Sequence, residues 1–290
     1  MTATGYAWDP GYLGYPPSTI HPECPERAAV LTPTRLLRDL PGLRLVEVES
    51  ALGLPWVQRI HEPEYVEKVR TAYRQNYAAL DSTRETIVRK DMFDVALLSA
   101  AGGISLLSAM SRGEIKNGFA AIRPPGHHAG PSHARGFCIF NNVAACARFA
   151  QQSLGFPRIL IVDWDVHPAD GTSAIFDEDP TVHVVSAHQH AIFSEQVGLA
   201  DQIGRGEGEG ANYNLPLPAG TGETEYLREF EPVLDRAAAR CRPDLVLVSC
   251  GFDAHLADPI GSMRLREATF ARLTHMVKRV ANHYTAGRLI

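Results

Sequence analysis

One stretch of the chain constrains its fold more than any other: Ile159-Leu160-Ile161-Val162-Asp163-Trp164-Asp165-Val166-His167. Its first four residues are consecutive aliphatics, three of them β-branched, which is typical of a fully buried strand. The three polar residues Asp163, Asp165 and His167 are spaced by two, so they share one face of an extended backbone. Such a strand delivers oxygen and nitrogen ligands to the carboxyl end of a sheet, where open α/β sheets bind their ligands.

Composition limits the class of protein. The chain has 290 residues, 45% hydrophobic and 21% charged, which suits one large globular α/β domain or two small ones. A formal net charge of −5 provides no basic surface for direct nucleic-acid binding. No apolar run approaches the roughly 18 residues of a membrane span, and no signal peptide is evident at the start. Dispersed cysteines without a Cys-x-x-Cys pair predict reduced thiols and a cytoplasmic location: Cys24, Cys138, Cys146, Cys241 and Cys250.

Hydrophobic periodicity predicts strands that alternate with helices along the whole chain. We expect strands at residues 5–8, 43–48, 119–122, 159–162, 182–185, 245–248 and 287–290. We expect helices at residues 62–73, 91–110, 141–152, 170–176, 224–241 and 266–283, with Gly102-Gly103 allowing close helix packing. Residues 186–210 are rich in glycine and predict a long loop. Alternating strands and helices favour a parallel, doubly wound α/β sheet, and we predict a single domain over residues 1–290.

Three polar clusters follow three of the predicted strands: His127-His128, Asp163 to His167, and Asp253-Ala254-His255. Because the ends of parallel strands converge on one edge of a sheet, these clusters can meet in space. Two carboxylates and one imidazole, from Asp165, His167 and Asp253, can bind a divalent metal ion and leave a position open for water or substrate. This donor set fits Zn²⁺ but leaves Fe²⁺, Mn²⁺ and Co²⁺ open.

The tandem histidines lie on a Pro-Pro-Gly loop, whose backbone is restricted. A neutral imidazole can take a proton from water, and an imidazolium can return it to a leaving amine. Carboxylates set the tautomer of such imidazoles, and Asp163 and Asp170 are the candidates. Single histidines elsewhere are interpreted as structural, and Asp258 before Pro259 as a turn residue. The structural histidines are His21, His61, His133, His183, His190, His275 and His283.

Eight motifs, in order along nearly the whole chain, give it a family resemblance. They are His21-Pro-Glu-Cys-Pro-Glu-Arg27, Arg123-Pro-Pro-Gly-His-His-Ala129, Gly136-Phe-Cys-Ile-Phe-Asn-Asn-Val143, Asp163-Trp-Asp-Val-His167, Ser186-Ala-His-Gln189, Gly206-Glu-Gly-Glu-Gly210, Asn214-Leu-Pro-Leu-Pro218 and Gly251-Phe-Asp-Ala-His255. With these motifs the chain resembles the histone deacetylase superfamily, in particular the bacterial class II-like deacetylases and acetylpolyamine amidohydrolases. The resemblance implies an arginase-deacetylase fold, with a central, mostly parallel sheet and helices on both faces. It also implies a zinc-dependent amide hydrolase with one Zn²⁺ per chain.

The resemblance also implies roles for single residues. Asp165, His167 and Asp253 are implied to be the metal ligands. His127 and His128 are implied to be the catalytic histidines, with His128 favoured as the general base. By the same resemblance, Asp163 pairs with His127, and Asp170 pairs with His128. A structural K⁺ is implied in the segment formed by Asp163, Asp165, His167, Ser186 and Ala187.

The implied substrate is an acyl-lysine peptide or protein, or alternatively a small acyl-amine such as an acetylpolyamine. Gly136 and Phe137 match the wall of the family's acyl-lysine tunnel, and Phe193 matches the opposite wall. Asp81 and Ile260 complete the implied substrate-binding residues. Ile260 falls where acetylpolyamine-selective relatives place an acidic residue, which favours acyl-lysine. A homo-oligomer is left open.

The chain departs from the family pattern in three places. The loop after Ser186 lacks the family's usual aromatic-Pro-Gly run and reads Phe193-Ser194-Glu195. Pro168 stands where the family often has a second histidine, so we expect the ligand loop to sit differently. The sequence ends at Ile290, before the family's Gly-Gly-Tyr motif, and loss of such an oxyanion donor costs on the order of 10²–10³ in rate. A metal-binding pseudoenzyme with weak turnover is therefore one alternative. A dinuclear ureohydrolase-type enzyme is less favoured, because the extra bridging carboxylates are not evident.

Overall fold

The computed structural model describes residues 3–14 and 21–290. Within it the chain divides into two compact units, Met1–Leu154 with Ile290, and Gly155–Leu289. Every pairing between the described strands is parallel, and helices alternate with strands, so the predicted α/β class is confirmed. The single-domain organisation stays a prediction.

The first unit contains a sheet of order β2-β1-β3 among its described residues. Its strands are β1 (Ala3–Ala7), β2 (Leu43–Val46) and β3 (Ile115–Ala120). Its helices are α1 (Glu26–Ala29), α2 (Pro33–Asp39), α3 (Gly53–Val57), α4 (Pro63–Thr71), α5 (Met92–Ser111) and α6 (Asn142–Leu154). Strand β3 begins and ends earlier than the strand predicted at residues 119–122. The polar Lys116 and Asn117 interrupt the apolar pattern of the sequence without interrupting the strand.

Helix α5 is the central helix of the first unit, and its glycine pair allows the close packing that the sequence predicts. A Cβ on Gly103 would lie 2.5 Å from the sulfur of Cys146 in α6, and one on Gly102 would lie 2.6 Å from Ile122. By length and composition α5 could cross a membrane, contrary to the expectation that no run approaches that length. Its apolar window is 72% buried inside the protein, and a core helix passes the same composition test.

The second unit contains a sheet of order β6-β5-β4-β7 among its described residues. Its strands are β4 (Ile159–Asp163), β5 (Val182–Gln189), β6 (Asn212–Leu217) and β7 (Leu245–Ser249), and its helices are α7 (Asp170–Ile175), α8 (Glu223–Cys241) and α9 (Glu267–Tyr284). Alternate residues of the central strands, such as Leu160 and Val162, join one buried cluster with the apolar stripes of α8 and α9. Asp163 belongs to the other set of alternate residues, which faces the opposite side of the sheet, and it is the last residue of β4.

Two features of this sheet were not predicted from the sequence. Strand β5 continues to Gln189, so the loop that was predicted at residues 186–210 begins only after residue 189. The polar residues of β5 do not end the strand, because all of them are buried. Strand β6 was not expected, since Pro216 interrupts its pattern, but β6 is an edge strand, where proline is tolerated. The predicted strand at residues 287–290 is reduced to a single bridge between Val246 and Leu289.

Candidate metal site and tandem-histidine loop

The candidate metal ligands of the second unit follow two neighbouring strands. Strands β4 and β7 pair in parallel, with Asp163 opposite Ser249, so the segments after them leave the same end of the sheet side by side. Gly251 makes this approach possible, because a Cβ there would lie 2.7 Å from the Cα of Asp165 and 2.4 Å from its Oδ2. The close backbone approach places Asp165 and Asp253 in one cluster.

The cluster has the dimensions of a metal site. One ligand atom from each of Asp165, His167 and Asp253 lies within 4.8 Å of the other two. Nδ1 of His167 lies 2.9 Å from Oδ1 of Asp165 and 3.0 Å from Oδ2 of Asp253. A tetrahedral Zn²⁺ with bonds of about 2.0–2.2 Å separates its ligand atoms by roughly 3.3–3.6 Å, within the range that this cluster spans.

The electrostatics of the cluster favour a cation. Burial, and then the charge of Asp165, raises the pKa of the Asp253 carboxyl. Burial lowers the pKa of His167, but hydrogen bonds and charges from Asp165 and Asp253 outweigh it and raise that pKa to about 9. Two crowded carboxylates facing one imidazole therefore fit a divalent ion, which would neutralise both charges at once.

Backbone groups orient the ligand carboxylates. Val166 N–H donates to Oδ1 of Asp253 at 2.8 Å, and His167 N–H donates to Oδ1 of Asp165 at 2.8 Å. Asp163 is buried, and its Oδ1 accepts a hydrogen bond from the backbone N–H of Asp165 at 3.0 Å. Such outer hydrogen bonds hold the ligand oxygens in a fixed direction before any ion arrives.

Several predicted residues of the second unit lie around this cluster. The ring of Phe193 stacks on His167, with centroids 4.8 Å apart and planes 28° apart. Asp170 is the first residue of α7. Ile260 is 47% exposed, on a turn capped by Asp258, whose Oδ1 accepts from the N–H of Ile260 at 2.8 Å, so the turn role of Asp258 is confirmed.

Two further expectations concern the loop beside His167. Asp163 and Ser186 are opposite each other in the β4–β5 pairing, so the segment implied to hold K⁺ lies together in this unit. K⁺ binding itself stays a prediction. Pro168 is buried, and the Cβ that Gly198 lacks would lie 2.7 Å from its Cβ, so the proline packs against a neighbouring glycine.

The tandem histidines belong to the first unit, on the loop after β3. Both side chains are buried, and their ring centroids are 3.8 Å apart with planes tilted by 39°. The carbonyl of Pro124, which precedes them, accepts hydrogen bonds from Ser99 Oγ at 2.7 Å and Asn142 Nδ2 at 3.1 Å. These bonds from α5 and α6 hold the loop at its start.

The other end of the loop is held by His61, which the sequence assigned a structural role. His61 is buried, and its Nδ1 lies 2.8 Å from the carbonyl oxygen of Gly130, while its Nε2 accepts from Asn141 N–H at 3.0 Å. Burial lowers the pKa of His61 to about 4. Because the imidazole is neutral and both its nitrogens are hydrogen-bonded, the structural interpretation is confirmed.

Gly136 and Phe137 form a tight turn. Arg135 and Cys138 bridge each other across it, and the two residues between them have φ of 51° and 68°. Positive φ at both central positions is the type I′ pattern, which phenylalanine rarely adopts. A Cβ on Gly136 would also lie 2.7 Å from Cδ2 of His128. The turn therefore sets Phe137 in an unusual conformation, next in sequence to the glycine that approaches His128.

Two more residues near this turn were singled out by the sequence. His21 meets the ring of Phe137 edge-on at 5.1 Å, and its Nε2 lies 3.1 Å from the carbonyl oxygen of Glu85. The carboxylate of Asp81 accepts hydrogen bonds from Glu85 N–H at 3.0 Å and from the N–H and hydroxyl of Thr86 at 3.0 and 2.6 Å. Asp81 thus closes its own loop, and its substrate role stays a prediction.

Sequence reasoning missed an ion pair at the start of the histidine loop. Arg123 Nη2 donates to Glu23 Oε2 at 2.9 Å, and Arg123 Nε lies 2.5 Å from Oε1 as a second ionic contact. The two side chains are only 2% and 3% exposed. Both residues lie in quoted motifs, but a pairing across 100 positions of sequence leaves no local signal.

The fold and the cluster together define an α/β protein with a candidate cation site of two carboxylates and one imidazole at the carboxyl ends of parallel strands. Residues 21–290 match the histone deacetylase domain family. The chain belongs to that family, and its fold is the arginase-deacetylase fold.

Individual relatives agree with this assignment. The chain is 39% identical to the polyamine deacetylase HDAC10 of Rattus norvegicus over 97% of its own length, and spans 48% of that protein. It is 33% identical to the histone deacetylase-like amidohydrolase of Pseudomonas aeruginosa, covering 97% of this chain and 73% of the relative. A crystal structure of the HDA15 HD domain matches with a TM-score of 0.90 at 33% identity, covering 100% of this chain and 84% of that one.

Proposed function

We propose that this chain is a zinc-dependent amidohydrolase that removes acetyl or other acyl groups from acyl-lysine side chains of proteins or peptides. The cluster of Asp165, His167 and Asp253 carries the proposal, because its donor set and spacing fit a catalytic metal ion. Zn²⁺ bound there would polarise an amide carbonyl and make water more acidic. Family membership and relatives named as deacetylases or amidohydrolases support the same reaction class.

The tandem histidines supply the proton transfers in this proposal. A neutral imidazole of His128 takes a proton from the attacking water, and the resulting imidazolium donates it to the nitrogen of the leaving amine. The rings of His127 and His128 are 3.8 Å apart, so two positive charges on the pair would repel each other. The pair is therefore suited to holding one proton at a time, as a base that becomes an acid.

Apolar rings near the reacting groups support an acyl-lysine substrate. Phe193 presents its face to His167, and Phe137 adjoins Gly136, the turn residue that approaches His128. Aromatic faces of this kind pack well against the methylene chain of a lysine. Asp163 and Asp170 keep their proposed roles of orienting the two imidazoles.

A small acyl-amine substrate is the second candidate, since the rat relative is named a polyamine deacetylase. The side chain of Ile260 is the feature that favours the acyl-lysine substrate over the polyamine. Its exposed aliphatic side chain offers no negative charge to a polyamine cation. We therefore expect kcat/KM for an acetyl-lysine peptide to exceed that for an acetylated polyamine, and the reverse ratio would favour the second candidate.

The test is acetate release from both substrates by the zinc-loaded chain. Removing metal with a chelator should abolish release, and added Zn²⁺ should restore it. Asp253→Asn should lower kcat/KM by at least about 100-fold through loss of a metal ligand. Asp258→Asn is the matched control, because the same change in the nearby turn keeps the oxygen that accepts from Ile260 N–H. A folded chain that binds zinc but releases no acetate from either substrate would refute the proposal.

A further inference from the structure

The second unit contains a buried histidine, His188 of β5, that the proposed reaction does not use. Its side chain is 1% exposed, and both ring nitrogens are hydrogen-bonded. Nδ1 lies 2.8 Å from Ser186 Oγ, and Nε2 lies 2.9 Å from the carbonyl oxygen of Gly198. The imidazole therefore joins β5 to Gly198, ten residues further along the chain.

The chemistry of the partners fixes the direction of each hydrogen bond. A carbonyl oxygen only accepts, so Nε2 of His188 carries the proton and donates to Gly198. In the neutral ring Nδ1 is then an acceptor, and the Ser186 hydroxyl donates to it. The same hydroxyl oxygen accepts from the backbone N–H of Ala169 at 3.1 Å. The result is one directed chain from Ala169 through Ser186 and His188 to Gly198.

The two ends of this hydrogen-bond chain lie in different segments beside the metal cluster. Ala169 follows His167 and Pro168 in the ligand loop. Gly198 lies at the far end of the segment at residues 190–198, which carries Phe193 onto the ring of His167. Gly198 has φ of +75°, and a Cβ there would lie 2.4 Å from Nε2 of His188, so the contact requires glycine.

The near end of the Phe193 segment is held independently of His188. Gln189 N–H donates to the carbonyl of Val166 at 2.9 Å, and His190 N–H donates to the carbonyl of Leu217 at 2.8 Å. The far end is held by two side chains. Gln202 accepts from Gly198 N–H at 2.8 Å and donates to the carbonyl of Gln196 at 2.9 Å, and the imidazole of His188 ties the carbonyl of Gly198 to β5.

We propose that His188 is a positioning residue that holds Phe193 against His167 and thereby shapes the binding surface for the acyl chain. It acts through the hydrogen bond to Gly198, while its bond to Ser186 fixes the orientation of the ring. The part that concerns the acyl chain rests on the proposed function. The part that concerns the Phe193 segment does not.

Two substitutions separate the two hydrogen bonds. In His188→Asn the side-chain amide reaches only to the position of Nδ1, so the bond to Gly198 is lost. In His188→Gln the amide nitrogen lies as many bonds from Cβ as Nε2 does, so it can still donate to Gly198. His190→Asn, at an exposed position two residues away, is the matched control.

Amide hydrogen exchange of the zinc-loaded protein provides a readout that does not need activity. In His188→Asn, residues 191–198 should exchange roughly three- to tenfold faster, the effect of losing one hydrogen bond, with β5 unchanged. His188→Gln and His190→Asn should stay within about twofold of the parent. Unchanged exchange in His188→Asn, or equal acceleration in His188→Asn and His188→Gln, would overturn the positioning role.

Kinetics test the link to the substrate. His188→Asn should raise KM for an acetyl-lysine peptide about tenfold with kcat within about twofold, because a binding surface rather than a reacting group is disturbed. His188→Gln should restore KM. A fall in kcat without a change in KM would contradict the link to substrate binding. A parent chain without any turnover would refute the proposed function but leave the exchange result to decide the role of His188.

Discussion

Replacing Glu23 by glutamine should destabilise the protein more than any comparable change at its surface. Glu23→Gln keeps the size of the side chain but removes the charge that faces Arg123 at 2.5 and 2.9 Å. Because both side chains are almost fully buried, the guanidinium would keep its charge while losing the carboxylate charge of Glu23 that faces it. Breaking a buried pair in this way costs about 3–5 kcal/mol.

We expect a value at the lower end of that range. Arg123 Nη1 also donates to the backbone carbonyl of Tyr12, and the amide oxygen of the new glutamine can still accept one hydrogen bond. A loss of about 3 kcal/mol lowers Tm by roughly 6–12 °C in a protein of this size. Thermal unfolding followed by circular dichroism measures this shift.

The matched control is Glu114→Gln in the same unit. Glu114 also accepts from two arginines, Arg44 at 2.8 Å and Arg112 at 2.6 Å, but its side chain is 30% exposed. Water can replace those contacts, so Tm should change by no more than about 2 °C. Equal shifts for Glu23→Gln and Glu114→Gln would refute the claim that burial makes the Glu23–Arg123 pair important. Adding Arg123→Met to Glu23→Gln should recover part of the lost stability, because no charge then stays buried.

Two glycine substitutions test the geometry around the reacting groups. Gly251→Ala should weaken zinc affinity about 10–100-fold in a competition titration, because its Cβ meets the backbone of a ligand residue. Gly222→Ala, with open space around the added carbon, should leave that affinity unchanged, and an equal affinity in the two variants would contradict the argument. Gly136→Ala combines a positive φ with a contact to His128 at 2.7 Å, and should lower kcat as well as stability. Gly113→Ala, with positive φ but no neighbour within 4 Å, should lower stability alone, and an unchanged kcat in Gly136→Ala would show that the turn tolerates the carbon.

The features that could be predicted from sequence are those with a local physical signature. Four aliphatic residues in a row can hardly be anything but a buried strand, and β4 is observed at Ile159–Asp163. The apolar spacing of three and four likewise predicts α8 and α9 within one residue at each end. Asp165 and His167 were predictable as candidate ligands because residues spaced by two on an extended backbone point to the same side. Their metal binding stays a prediction.

The features that could not be predicted have partners far away in sequence. Strand β6 is stabilised by pairing with β5, and its own pattern, with Pro216, argues against a strand. Buried Ser186 and His188 resemble loop residues until their partners are known. The choice of partner depends on how the whole chain packs, which no local period records.

The sequence by itself determined the α/β class, the main strands and helices, and the short list of side chains that can bind metal or move protons. Only the tertiary structure decided which distant groups meet: Gly251 lets Asp253 approach Asp165, Arg123 pairs with Glu23, and His188 reaches Gly198. The physical reason is that secondary structure follows from interactions between residues near in sequence. Burial, by contrast, forces each polar group to find a partner wherever the fold supplies one.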